Sequence, residues 1–122
     1  MAKKIVVVDD SRTARQQVMN ALAGSGYDLV EAVDGQDGVE KLSSNADASM
    51  VICDVNMPKM SGLEMLAEVK QNGKVSHIPF LMLTTEAQPE LVQQAKAAGA
   101  KGWIIKPFKP EMLLAAVRKI AG

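Results

Sequence analysis

Met50-Val51-Ile52-Cys53-Asp54-Val55-Asn56-Met57-Pro58 runs four apolar residues straight into a carboxylate, and the chain then turns at Pro58. A short apolar run bounded in this way reads as a strand buried on both faces. A carboxylate at the end of such a strand is out of place in a core. In open α/β sheets, ligands bind outside the carboxyl ends of the strands. Asp54 is therefore the first candidate for a chemical group, and the other segments are read by how they could serve it.

Working outward, the same shape recurs. Ile5 to Val8 is an apolar run that ends in Asp9-Asp10, and Ser11 can cap a following helix. Ala14, Val18, Ala21 and Leu22 recur at helical spacing until Gly24-Ser25-Gly26 stops them. Tyr27 to Val33 reads as a second, more polar strand nearer an edge, with Asp34-Gly35 as a turn and Gln36 to Ser43 as a helix buried through Val39 and Leu42. After the Pro58 to Gly62 loop, Leu63, Leu66, Ala67 and Lys70 mark a third helix running to Asn72-Gly73. Pro79 to Leu83 is a fourth strand ending at Thr84-Thr85-Glu86. Pro89 suits the first turn of a fourth helix that carries Leu91, Val92, Ala95 and Ala98, and Gly99 stops it. Trp103-Ile104-Ile105 is a fifth strand ending at Lys106-Pro107, and Pro110 opens the last helix, to Gly122.

Strand and helix thus alternate five times, which argues for an α/β protein with a parallel sheet and helices on both faces. Right-handed crossovers leave few topologies. The expectation is a doubly wound, five-stranded parallel sheet of flavodoxin-like order 2-1-3-4-5, an (α/β)5 unit.

Composition sets bounds. The 122 residues fit one domain, 1–122, with one core. Apolar residues make up 48% and charged residues 23%, as in ordinary globular domains. Fourteen basic and fourteen acidic residues cancel, so no basic stripe points to nucleic acid. No apolar run is long enough for a bilayer span, and the start Met1-Ala2-Lys3-Lys4-Ile5 has no export signal. With a single cysteine, Cys53, read as core, the expected location is cytoplasmic.

In a parallel sheet the strand ends share one edge, so Asp9-Asp10, Asp54, Thr84 and Lys106 should meet there. Charges about 4 Å apart repel by roughly 4 kcal/mol at an effective dielectric near 20. Three neighbouring acids therefore need a proton or a cation among them, and a carboxylate site with few protein ligands suits Mg²⁺. With the Lys106 cation and the Thr84 hydroxyl beside Asp54, the set suits phosphoryl transfer to that carboxylate.

Four motifs together carry a resemblance: Val8-Asp9-Asp10-Ser11; Asp54-Val55-Asn56-Met57-Pro58-Lys59-Met60-Ser61-Gly62; Leu83-Thr84-Thr85-Glu86; and Lys106-Pro107-Phe108. Over its whole length the chain resembles the response-regulator receiver domains of bacterial two-component systems, most of all the single-domain chemotaxis (CheY-like) type. The resemblance implies that Asp54 is the phosphoacceptor, fed by a sensor histidine kinase. It implies Mg²⁺ held by Asp10, Asp54 and the backbone carbonyl of Asn56, with Asp9 acting largely through water. Lys106 and Thr84 would contact the phosphoryl group, Asn56 and Glu86 would tune its hydrolysis, and the Lys106-Pro107 bond would be cis. On phosphorylation Thr84 would move and an aromatic at position 103 would turn inward, altering the face made by helix four, strand five and helix five. Trp103 departs from the smaller aromatic usual there.

The implied partners are the kinase, a flagellar motor switch protein and a phosphatase, without nucleic acid or membrane. The chain would act as a monomer, with dimerisation through that same face left open. Two other readings stand beside the switch. One is a Mg²⁺-dependent hydrolase with an aspartyl-phosphate intermediate, which would want a general acid at position 56 and finds Asn56. The other is an adaptor or phosphate sink without motor binding. The last helix carries Met112 to Val117 and Ile120, a wider apolar face than one buried stripe requires.

Overall fold

The computed structural model describes residues 2–122. Strands and helices alternate: β1 Lys4–Val8, α1 Arg12–Leu22, β2 Asp28–Ala32, α2 Gly35–Ser44, β3 Met50–Cys53, α3 Gly62–Lys70, β4 Phe80–Thr84, α4 Pro89–Ala97, β5 Gly102–Ile105 and α5 Pro110–Ala121. All strand pairs are parallel, in the order β2-β1-β3-β4-β5, which is the expected doubly wound topology.

Every residue of β3 and β4 is buried, as a sheet covered on both faces requires. Alternate strand residues feed two cores. Val6, Val8, Val51, Cys53, Phe80 and Met82 pack with Leu42 of α2 and with Met65, Leu66 and Val69 of α3. Ile5, Val7, Met50, Ile52, Leu81 and Leu83 pack against Val18 and Leu22 of α1 and Leu113 and Val117 of α5.

The element ends differ from the reading of the sequence by a residue or two. Val33 falls outside β2 and is 49% exposed. α3 stops at Lys70 rather than at Asn72-Gly73, because Gln71 already caps it by donating to the Glu68 and Val69 carbonyls. Its buried side is Met65, Leu66 and Val69, while Ala67 faces solvent. In α4 only Ala95 is fully buried; Leu91, Val92 and Ala98 are half-covered. The wide apolar face of α5 divides into buried Leu113 and Val117, part-buried Leu114, Ala116 and Ile120, and Met112 left 50% exposed. Among the described residues, no helix is long and apolar enough to cross a membrane.

Candidate functional site

Register assembles the site. Val8 pairs with Cys53, so the next residues, Asp9 and Asp54, emerge side by side, and the Asp54 N–H donates to the Val8 carbonyl at 3.0 Å. Cys53 pairs with Met82, and Thr84 pairs with Ile105, so Thr84 and Lys106 complete the same edge. Lys106 Nζ lies 2.7 Å from Asp9 Oδ2 and 3.2 Å from Asp54 Oδ2. The Lys106-Pro107 bond is cis, as expected.

Asp9 is nearly enclosed, at 4% exposure. Its Oδ1 accepts from the Ser11 N–H at 2.9 Å and its Oδ2 takes the lysine. Burial raises its pKa, opposed by the Lys106 hydrogen bond and charge and by the Ser11 N–H. Burial also disfavours the Lys106 ammonium, but the hydrogen bond and charge of Asp9, with those of Asp54, outweigh it and raise the lysine's pKa. Asp54 is half-buried; its Oδ1 accepts from the Val55 N–H at 2.7 Å, leaving Oδ2 toward Lys106.

The loop after Asp54 is held by a close approach. Gly62 opens α3 directly against the Asp54 carbonyl, which a Cβ there would strike, and the Gly62 N–H donates to Val55 O at 2.9 Å. Ser61 and Glu64 close a capping box on this helix start.

Thr84 is fully buried, and its hydroxyl oxygen accepts from the Glu86 N–H at 3.2 Å. Glu86 is a junction. Its carboxylate accepts from Asn56 Nδ2 at 2.6 Å, and its carbonyl accepts from the Trp103 indole N–H at 3.0 Å. The larger aromatic at 103 is thus half-buried against the α3 side of the core and already tied to the loop after β4.

Asp9, Asp10 and Asp54 each offer a carboxylate oxygen, and these atoms lie within 4.8 Å of one another. An all-oxygen set opposed by one lysine carries surplus negative charge, and it fits a small hard dication such as Mg²⁺.

One buried side chain at this edge was absent from the sequence reading. Arg15 of α1 is only 9% exposed; its Nη1 donates to the Asp9 carbonyl at 2.7 Å and its Nε to Glu31 at 2.9 Å. The signal was there: Arg15 shares a helical stripe with Val18 and Leu22, the other buried residues of α1. Cys53, in contrast, is core as expected; it is fully buried with its thiol pKa pushed up by desolvation, beyond the range of a reactive thiolate.

A family model, the response regulator receiver domain, matches residues 5–118. The chain belongs to this family. The receiver is 40% identical over 120 residues to chemotaxis protein CheY1 of Helicobacter pylori, covering 98% of this chain and 97% of that protein. It is 38% identical over 120 residues to the chemotaxis protein CheY homolog of Campylobacter jejuni, covering 98% and 92%. Among solved structures, chemotaxis protein CheY4 of Vibrio cholerae superposes with a TM-score of 0.91 at 40% identity, over 98% of this receiver and 99% of that chain. This receiver is of the CheY type, and such domains act as signalling switches.

Proposed function

We propose that this receiver, acting as one unit over residues 1–122, takes a phosphoryl group onto Asp54 from a phosphohistidine of a sensor histidine kinase. The observation that carries the reading is the pairing of Lys106 with both Asp9 and Asp54 at the strand ends, beside Asp10. Asp54 Oδ2 attacks phosphorus, the P–N bond breaks, and its electron pair returns to the imidazole. Lys106 sits where negative charge on the transferred group would build up. Asp10 and Asp54, with the Asn56 carbonyl, would hold Mg²⁺, and Asp9 would act through water. When bound, the ion supplies charge neutralisation at the phosphoryl oxygens. Thr84 offers a hydroxyl hydrogen to the same group.

Hydrolysis restores the carboxylate: water attacks phosphorus and the Asp54 O–P bond breaks. The Asn56–Glu86 hydrogen bond spans the two loops that flank this approach, so these residues set the lifetime of the phosphorylated state. Phosphorylation adds close to two negative charges, and the change reaches α4, β5 and α5 through Thr84, Glu86 and Trp103. The output is control of a protein partner. The names of the relatives favour chemotaxis. The partners in this reading are a flagellar motor switch protein as the target and a phosphatase, with a cytoplasmic monomer as the acting form. Position 56 is an asparagine, which argues against the hydrolase reading.

The test is intact mass after incubation with Mg²⁺ and acetyl phosphate. A gain of one phosphoryl group is expected, absent in Asp54→Asn and without metal, and decaying on standing. No gain, where another receiver is modified under the same conditions, removes the mechanism.

A further inference from the structure

The chemistry above uses Asp9, Asp10, Asp54, Thr84 and Lys106, and leaves one buried cation without a role. Arg15 reaches from the second turn of α1 to the backbone at the end of β1. Asp9 is held at each of its polar atoms: its N–H donates to the Ala32 carbonyl at 3.1 Å, its two carboxylate oxygens take Ser11 N–H and Lys106, and its carbonyl takes Arg15. The Asp9 carbonyl belongs to the peptide that carries Asp10. Asp10 itself is exposed, so what the backbone can fix is the position and direction of its Cα–Cβ bond, which that peptide sets. The planar guanidinium is braced in turn by Glu31 on β2, so one buried fork ties α1, β1 and β2 together behind the acidic trio.

We propose that Arg15 is a positioning residue for the cation site: it fixes the Asp9–Asp10 peptide and so places the base of the Asp10 side chain within reach of the space shared with Asp54. The proposal rests on the metal reading of that trio. It makes an unusual demand on sign. By charge alone, deleting a nearby cation should tighten the binding of another cation. If Arg15 acts by position, its deletion should weaken binding, as loss of outer partners does at metal sites generally.

The experiment is titration of the ¹⁵N-labelled full chain with MgCl₂, following the amide shifts of Asp9, Asp10 and Asp54. In Arg15→Met the dissociation constant should rise about ten-fold, against an unchanged wild-type titration curve. Arg15→Lys keeps the charge without the fork and should fall between the two. Glu31→Gln keeps the bond to the Asp9 carbonyl and should shift the constant by less than about three-fold, well short of that outer-partner loss. An Arg15→Met constant equal to or tighter than wild type overturns the proposal, even where the melting temperature falls, since that pattern is purely structural. If Arg15→Met loses its dispersed spectrum, Arg15→Lys decides: an unchanged constant overturns the positioning role. A wild-type chain without saturable shifts removes the metal reading and the proposal with it, whereas normal wild-type binding with an unmoved variant removes the role of Arg15 alone.

Discussion

α3 and α4 are both nine residues long, and both follow a strand that ends at the site, yet they are held very differently. α3 starts from a complete capping box and buries Gly62, Met65, Leu66 and Val69. α4 starts from Gln88 with no side-chain cap, relies on Pro89 to set its first turn, and buries Ala95 alone. β5, which follows α4, has no fully buried residue. The contrast matches the proposed function, in which the segment leading into α3, Asp54 to Gly62, would hold the acceptor in place and the segment leading into α4, Thr84 to Glu86, would respond to it. Elements with few buried apolar contacts open at lower free energy than the core, so the half that would respond under that proposal is the one left thinly packed.

The largest test of this contrast is in the packing. Leu66→Ala, at a fully buried position, should cost about 2–5 kcal/mol. Leu91→Ala, at a half-covered position on α4, should cost less than about 1.5 kcal/mol, since only part of its transfer free energy is gained on folding. Urea unfolding followed by circular dichroism measures both, and equal costs would erase the distinction between the helices. Next come the helix starts. Ser61→Ala should cost about 1 kcal/mol, because it leaves the Glu64 N–H without its acceptor, and Gln88→Ala should cost almost nothing by the same assay. The last comparison is at the tie between the halves, where the readout is local protection rather than global stability. Trp103→Phe keeps a ring but removes the N–H that Glu86 O accepts, at about 0.5–1.5 kcal/mol. It should raise hydrogen exchange in residues 85–92 while leaving residues 54–64 unchanged. Protection lost equally in both segments would mean that Trp103 braces the whole sheet edge rather than the α4 side.

Much of this was legible before any coordinates. The alternation of short apolar runs with helical stripes, each run ending in a polar residue of a specific kind, led to the parallel sheet and to Asp9, Asp10, Asp54, Thr84 and Lys106 at one edge. Such patterns are readable because burial on both faces leaves β1, β3 and β4 almost no choice but Val, Ile, Leu, Met, Phe and Cys. The burial of α4 was not legible in the same way: Leu91, Val92, Ala95 and Ala98 have helical spacing whether or not an edge strand such as β5 covers them, and of these Ala95 alone is fully buried.

The order of elements, the sheet and the residues at its carboxyl edge were therefore determined by the sequence itself, because periodicity and turn residues are local properties of the chain. Three things were decided only by the tertiary structure. Arg15 is buried because the Asp9 carbonyl and Glu31, distant from each other in sequence, converge on it. Asp9 holds Lys106 more closely than Asp54 does, because the β1–β3 register and the loop after β5 place the lysine there. Trp103 meets the Glu86 carbonyl because the loop after β4 folds back over β5. Each depends on distances between segments far apart along the chain, which no local pattern encodes.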